Sequence, residues 1–217
     1  AKCYALFLSA YVILFKENKN QTVKEKVNYF IREIKSLEIL KRDDQAAWGY
    51  PFAWQSKSFF LPKDTANVVT TCFVAQALLD AYEINKDPES LKLGVLACEY
   101  ILNSLHRNYD DHTNYSISYS SLDHSEVYNA SMLSAALLSR VYSINQNLVY
   151  KEESTKLMTY VCSKQFPDGS WFYGTAPHHH WVDGFHTGYN LVSLFQFIQY
   201  TQEKHFDQFL KRGFDFY

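Results

Sequence analysis

Three stretches limit what this chain can fold into: VVTTCFVAQALLDAYEINKD (68–87), YNASMLSAALLSRVYSINQN (128–147) and FHTGYNLVSLFQFIQYTQEK (185–204). Each is a run of apolar and small residues that ends in an aromatic and a polar turn. Aligned on Tyr82, Tyr142 and Tyr200, they recur at steps of 60 and 58 residues. The N-terminal LFLSAYVILFKENKN joins them with Phe15 at the anchor. Helices that are apolar nearly all round must be covered on both sides. Between them lie the amphipathic segments 23–37, 89–105 and 152–164, with charges mostly on one face, as outer helices require. Asp87 followed by Pro88 reads as a helix start. No strand pattern competes. The expected architecture is therefore all-α: αα-hairpin repeats of inner helix, short turn, outer helix and long loop, in one domain spanning 1–217. The segment LKRGFDFY (210–217) aligns with LKLGVLACEY (91–100), so about four hairpins are visible and both ends read as cut. Bare inner-helix faces at such ends predict self-association.

Composition narrows the function classes. Formal net charge is −2, from 21 basic and 23 acidic residues. This offers no electrostatic case for nucleic acid or an anionic membrane. Cys3, Cys72, Cys98 and Cys162 all fall in apolar stretches and form no C-x-x-C motif, which reads as small buried thiols in a reducing, cytoplasmic setting. No uncharged apolar run is long enough to span a bilayer. The apolar opening AKCYALFLSAYVILF fits the repeat better than a signal peptide. Aromatics make up 17% of the chain, an excess that must either fill a core of large side chains or line a cavity that stacks on flat ligands.

The long loops 38–66, 107–127 and 165–185 all lead from an outer helix back to an inner one. They hold all four tryptophans: Trp48, Trp54, Trp171 and Trp181. The short turns are merely polar. A site is therefore expected at the long-loop end. In WVDGFHTGYN, Asp183 either caps the helix that follows or orients His186 for acid–base work. On the tyrosine anchors His186 matches Val68 and Tyr128. His124, beside Asp123, repeats the theme one loop earlier, and Tyr50 is a further acid–base candidate. The triplet 178–180 reads as a solvated loop. His180, Asp183 and His186 form a rival metal-ligand spacing, but no metal is assigned. Trp48, Trp54, Trp171, Tyr173 and Trp181 are the expected stacking surfaces, although PDGSW also reads as a turn with Trp171 as a plug. Gln55, Asn67, Asn129 and Tyr189 supply polar groups for a ligand. Flat rings beside amide and carboxylate groups suit a sugar.

These residues resemble the α/α-toroid superfamily of terpenoid cyclases, protein prenyltransferases and six-hairpin glycosidases. Gln165-x3-Gly169-x-Trp171 is similar to the core of the cyclases' QW repeat, which implies a stabilising device. The cyclases' D-x-D-D motif is absent, since NYDD (108–111) begins with Asn108. The prenyltransferase zinc ligands and the lanthionine cyclases' Cys motifs are missing too. The blocks WGYPFAWQSKSFFLPKDTANVVTTCFVAQALLDAYE and DGSWFYG…WVDGFHTGYNL more closely resemble bacterial toroid proteins of surface-polysaccharide gene clusters. WVDGFHTGYN also looks like a segment of glucuronyl C5-epimerases. The resemblance implies a carbohydrate-active protein working on a surface polysaccharide or its precursor, by hydrolysis, elimination or epimerisation. The alternatives are a non-catalytic glycan-binding or scaffolding toroid and, more remotely, a terpenoid cyclase-like enzyme. Hydrolysis needs two carboxyl groups roughly 5–10 Å apart, and Asp183 with Asp123 or Asp168 is the pairing on offer. The expected partner is an oligosaccharide or glycan precursor, and no cofactor is assigned.

Overall fold

A computed structural model of the chain describes residues 1–57, 59–109 and 113–217. Asp110 and Asp111 of the 108–111 segment lie outside the described residues. The helices run α1 (Lys2–Asn18), α2 (Gln21–Ser36), α3 (Val68–Asn85), α4 (Pro88–Ser104), α5 (Tyr128–Asn145), α6 (Leu148–Ser163), α7 (Gly184–Thr201) and α8 (Asp207–Phe216). They are the inner and outer helices expected from the repeat. Asp87 does start α4: its carboxylate accepts the backbone N–H and hydroxyl of Ser90, at 3.2 and 2.8 Å. One expectation fails in detail. Short strands interrupt the long loops: β1 (Leu40–Lys41), β2 (Ala46–Ala47), β3 (Trp54–Gln55), β4 (Phe60–Leu61), β5 (Arg107–Tyr109) and β6 (Tyr115–Ile117). They are two or three residues long, too short to leave an alternating hydrophobic signature.

The chain divides into two compact units, Ala1–Trp54 with Phe60–Ser104, and Gln55–Phe59 with Leu105–Tyr217. In the first, inner helices α1 and α3 pack on each other and carry α2 and α4 outside. In the second, α5 and α7 do the same with α6 and α8. Helix α5 is covered on both sides, and its small residues make this close packing possible. Ser134 and Ser139 are buried and return their hydroxyls to the backbone carbonyls of Ala130 and Ala136.

Every inner helix ends the same way, on a left-handed residue: Lys19, Lys86, Gln146 and Gln202. Their N–H groups donate to the carbonyls of Phe15, Tyr82, Tyr142 and Ile198. The anchor in α7 is thus Ile198, two residues before Tyr200. Matching aromatic to aromatic misplaced the register, because a helix end is set by its backbone hydrogen bond and not by side-chain type. The caps at the other end agree. Asn67 and Asp183 occupy the same position, each accepting the N–H three residues on, at 2.9 and 2.8 Å. His186 therefore matches Thr70 and Ala130, not Val68 and Tyr128.

Two tryptophans expected to line a site are structural. Trp48 is fully buried, and its indole N–H donates to the carbonyl of Ile34 at 2.9 Å. Trp171 is 2% exposed and donates to the carbonyl of Val161 at 3.0 Å. Ile34 and Val161 each lie two residues before the end of an outer helix. The same ring thus adds a second hydrogen bond to the equivalent carbonyl in two repeats, beside the backbone N–H three residues on. Neither ring has a face left for a ligand. Around Trp171 the QW-like motif is a clamp. Gln165 donates to the carbonyls of Gly169 and Phe209, at 3.0 and 2.9 Å, and accepts from Arg212 at 2.9 Å. Gly169 has φ +94°, and a Cβ there would lie 2.1 Å from the Arg212 carbonyl oxygen. The loop is thereby stitched to α8.

The thiols divide as well. Cys72, Cys98 and Cys162 are buried, but Cys3, in the first turn of α1, is exposed.

Candidate functional site

The loop from the Gln165 clamp to α7 brings several expected residues together. Its backbone closes when the N–H of Tyr173 donates to the Trp181 carbonyl at 2.9 Å. The two rings then stack, 4.4 Å apart and 13° from parallel. Asp183 follows as the cap of α7 and does two jobs with its two oxygens. Oδ1 accepts the backbone N–H of His186 at 2.8 Å. Oδ2 accepts the imidazole Nδ1–H of His186 at 2.7 Å and the Trp181 indole N–H at 3.0 Å. Both readings of Asp183 hold at once, because a carboxylate has enough lone pairs for a cap and an imidazole.

This arrangement fixes the histidine. Facing an acceptor-only carboxylate, Nδ1 carries a proton, so in the neutral form of the ring the lone pair lies on Nε2. The Tyr173 ring meets the imidazole edge-on at 4.7 Å and Phe185 does so at 5.5 Å. The side chains of His186 and Asp183 are 28% and 35% exposed, so the pair is reachable from solvent. Burial opposes the charge on Asp183. The hydrogen bonds from the backbone and ring of His186, its charge and the Trp181 indole outweigh that and hold the carboxyl below its ordinary pKa. The pair is an oriented base with a permanent counter-charge.

The other candidates are scattered more widely. Tyr189 meets the cluster at Phe185, whose ring lies 4.6 Å away, and it lines an apolar groove along α7 and α8. His124 stacks on His106 at 3.9 Å rather than on His186. Asp123 is consumed by its own loop: it accepts from the backbones of Tyr119, Ser120 and Ser125 and from both serine hydroxyls. Asp168 serves Ser170 in the same manner, and those bonds lower its pKa. Neither is a free second carboxyl for Asp183. His180 stacks on Phe172 at 4.5 Å and its Nε2 lies 3.0 Å from the Thr175 carbonyl oxygen, which takes it out of a shared site with Asp183 and His186. The histidine triplet is not all solvated, since His179 is only 1% exposed.

Asn129 is 5% exposed, and its Oδ1 has no hydrogen-bond partner among the described residues; Asn67 is wholly buried as the α3 cap. In the first unit Tyr50 lies 4.8 Å from Trp54 and 5.5 Å from Phe52, and Trp54 is 39% exposed, so this group does present aromatic faces. Gln55 is exposed and donates to the Ser56 carbonyl. Sequence reasoning missed Glu126. Its Oε2 accepts the Tyr160 hydroxyl at 2.7 Å and the Thr175 hydroxyl at 2.9 Å. Its only signal was a carboxylate two residues past His124, inside a loop already singled out.

No protein-family model matches the sequence, and no curated protein is similar to it at the level of sequence. Similarity appears in three dimensions. A D-mannose isomerase superposes with a TM-score of 0.71 at 12% identity, covering 99% of this chain and 58% of the isomerase. A GH76 α-mannanase of Bacteroides thetaiotaomicron gives 0.74 at 13% identity, covering 97% and 58%. A cellobiose 2-epimerase from Bacillus thermoamylovorans gives 0.72 at 12%, covering 99% and 58%. The fold is of the α/α-toroid class. The chain spans 58% of the length of these three structures.

Proposed function

We propose that the protein is carbohydrate-active and that the Asp183–His186 pair moves a proton on its sugar substrate. The observation that carries this is the pair itself: an imidazole locked by a carboxylate, with Nε2 unengaged among the described residues, beside the Tyr173–Trp181 stack. The fold, shared with a mannanase, an isomerase and an epimerase of sugars, supports the substrate class. Among the reactions open to such a pair, epimerisation, isomerisation or elimination is favoured over hydrolysis, because Asp123 and Asp168 are both engaged within their own turns.

In that chemistry the C–H bond next to a sugar carbonyl breaks toward His186 Nε2. Its electron pair moves onto the carbonyl oxygen, and the proton rests on the imidazolium. Asp183 offsets the new positive charge until the proton is returned. The resemblance to proteins of surface-polysaccharide clusters makes such a polysaccharide or its precursor the natural source of that sugar.

The test is solvent exchange. Aldoses, ketoses and uronates are incubated with the protein in deuterium oxide, and loss of a carbon-bound proton is followed by NMR. His186→Gln should slow the exchange by about 10²-fold or more. Exchange at an unchanged rate in that variant refutes the assignment. Saturable sugar binding with no exchange in the native protein would favour the glycan-binding module instead.

A further inference from the structure

The second unit contains a cleft of 430 Å³ whose walls include Phe59, Glu126, Thr175 and His179. Its volume falls within the range of small-molecule sites, about 300–1,000 Å³. Two loops build it, zipped by an antiparallel bridge between Val127 and Gly174 and by the Thr175 N–H donating to the Glu126 carbonyl at 3.1 Å. Gly174 is required for this approach: a Cβ there would lie 2.1 Å from the Glu126 carbonyl oxygen and 2.9 Å from His179 Nδ1.

His179 is the unexplained group. It is 1% exposed, and neither ring nitrogen has a hydrogen-bond partner among the described residues. Buried polar atoms are normally paired, and two orphans on one ring demand a reason. Burial, then the neighbouring His178 and His180, push its pKa down, so the ring is neutral and offers one N–H and one lone pair. A partner must therefore both give and accept a hydrogen bond. On the same cleft, Glu126 takes Tyr160 and Thr175 on Oε2, and among the described residues Oε1 is left to accept. Asp123 adds a second negative charge, and no Lys or Arg is among the described residues that line the walls. An anionic ligand would be repelled. An ammonium could donate to Glu126 but could not satisfy the imidazole N–H. A hydroxyl satisfies both, and the ring of Phe59 supplies an apolar surface for a pyranose face.

We propose that this cleft is a binding site for a neutral sugar ring, held by hydroxyl hydrogen bonds to Glu126 and His179. The ligand class rests on the carbohydrate reading above. The site itself goes beyond that reading, because it involves neither His186 nor Asp183 and it selects against uronates and sugar phosphates.

Saturation-transfer NMR titrations with methyl glucoside and methyl mannoside, each compared with its uronate counterpart, test the assignment. The neutral glycosides should bind saturably and the uronates at least about tenfold more weakly. His179→Leu should lose about tenfold or more in affinity while the melting temperature holds or rises, since it removes two unsatisfied buried atoms. Glu126→Gln should weaken binding to a similar degree and serves if the leucine variant does not fold. His186→Gln should bind normally. The assignment is overturned by equal or tighter binding of uronates, by native-like affinity in both cleft variants, or by no saturable response to any neutral glycoside. Because the readout is binding, absence of deuterium exchange would sink the catalytic assignment and leave this one standing.

Discussion

Replacing Asp183 separates its two jobs. In Asp183→Ala, α7 loses its N-cap, which costs about 1 kcal/mol. The Trp181 indole N–H loses its acceptor, for about 1 kcal/mol more. The half-exposed pairing with His186 adds at most about 0.5 kcal/mol, because solvent screens it. The total is about 2–3 kcal/mol, and each kcal/mol should lower the melting temperature by roughly 2–4 °C in a chain of this size. Asp183→Asn is gentler. Its amide oxygen still caps α7, but its NH₂ group now faces Nδ1 and the indole, so the cost falls to about 1 kcal/mol.

The same NH₂ group forces the imidazole into the other tautomer. That places the proton on Nε2 and removes the lone pair the reaction uses. Proton exchange should fall by about 10²–10⁴-fold, the range expected for a lost base and its orienting carboxylate. Thermal melts of the two variants, with the deuterium-exchange assay alongside, test both halves. Equal destabilisation of the two variants would refute the cap. Undiminished exchange in Asp183→Asn would refute the oriented base. The pH dependence has a definite sign. Asp183 is held below its ordinary pKa, so its stabilisation is present above about pH 4 and is lost as the pH falls through the lowered value. The stability gap between native protein and Asp183→Asn should therefore narrow on acidification.

Two further outcomes follow from burial. Trp171→Phe should destabilise by about 2–3 kcal/mol in a urea titration, since it removes the indole hydrogen bond to the Val161 carbonyl and leaves a void; a loss under about 0.5 kcal/mol would mean that the ring is not the plug described here. Of the four thiols, only Cys3 should react promptly with an aromatic disulfide in the native state. Burial raises the pKa of Cys98 and Cys162, so rapid labelling of either would contradict their packing.

The helices were legible because their pattern is local. Runs such as 68–87 are apolar on every side, and polar turns follow them, beginning on a left-handed residue. Asp87 and Asp183 were legible as caps for the same reason: a cap binds groups two or three residues away. The exact register of α7 was not, because Tyr200 offered an aromatic where the real equivalent is the aliphatic Ile198. The tryptophans were misleading in a specific way. Four rings in three loops look like one binding wall, yet Trp48 and Trp171 each close an outer helix while Trp54 and Trp181 keep accessible surface.

Sequence alone determined the αα-hairpin repeat, the helix spans, the caps and the loops in which polar chemistry gathers. These depend on periodicity and on contacts a few residues apart. The tertiary structure decided which rings are spent on the core and that Glu126 and His179 line one cleft. Those outcomes depend on bringing residues some 50 positions apart into one unit, where a side chain's partners are set by packing that no local pattern encodes.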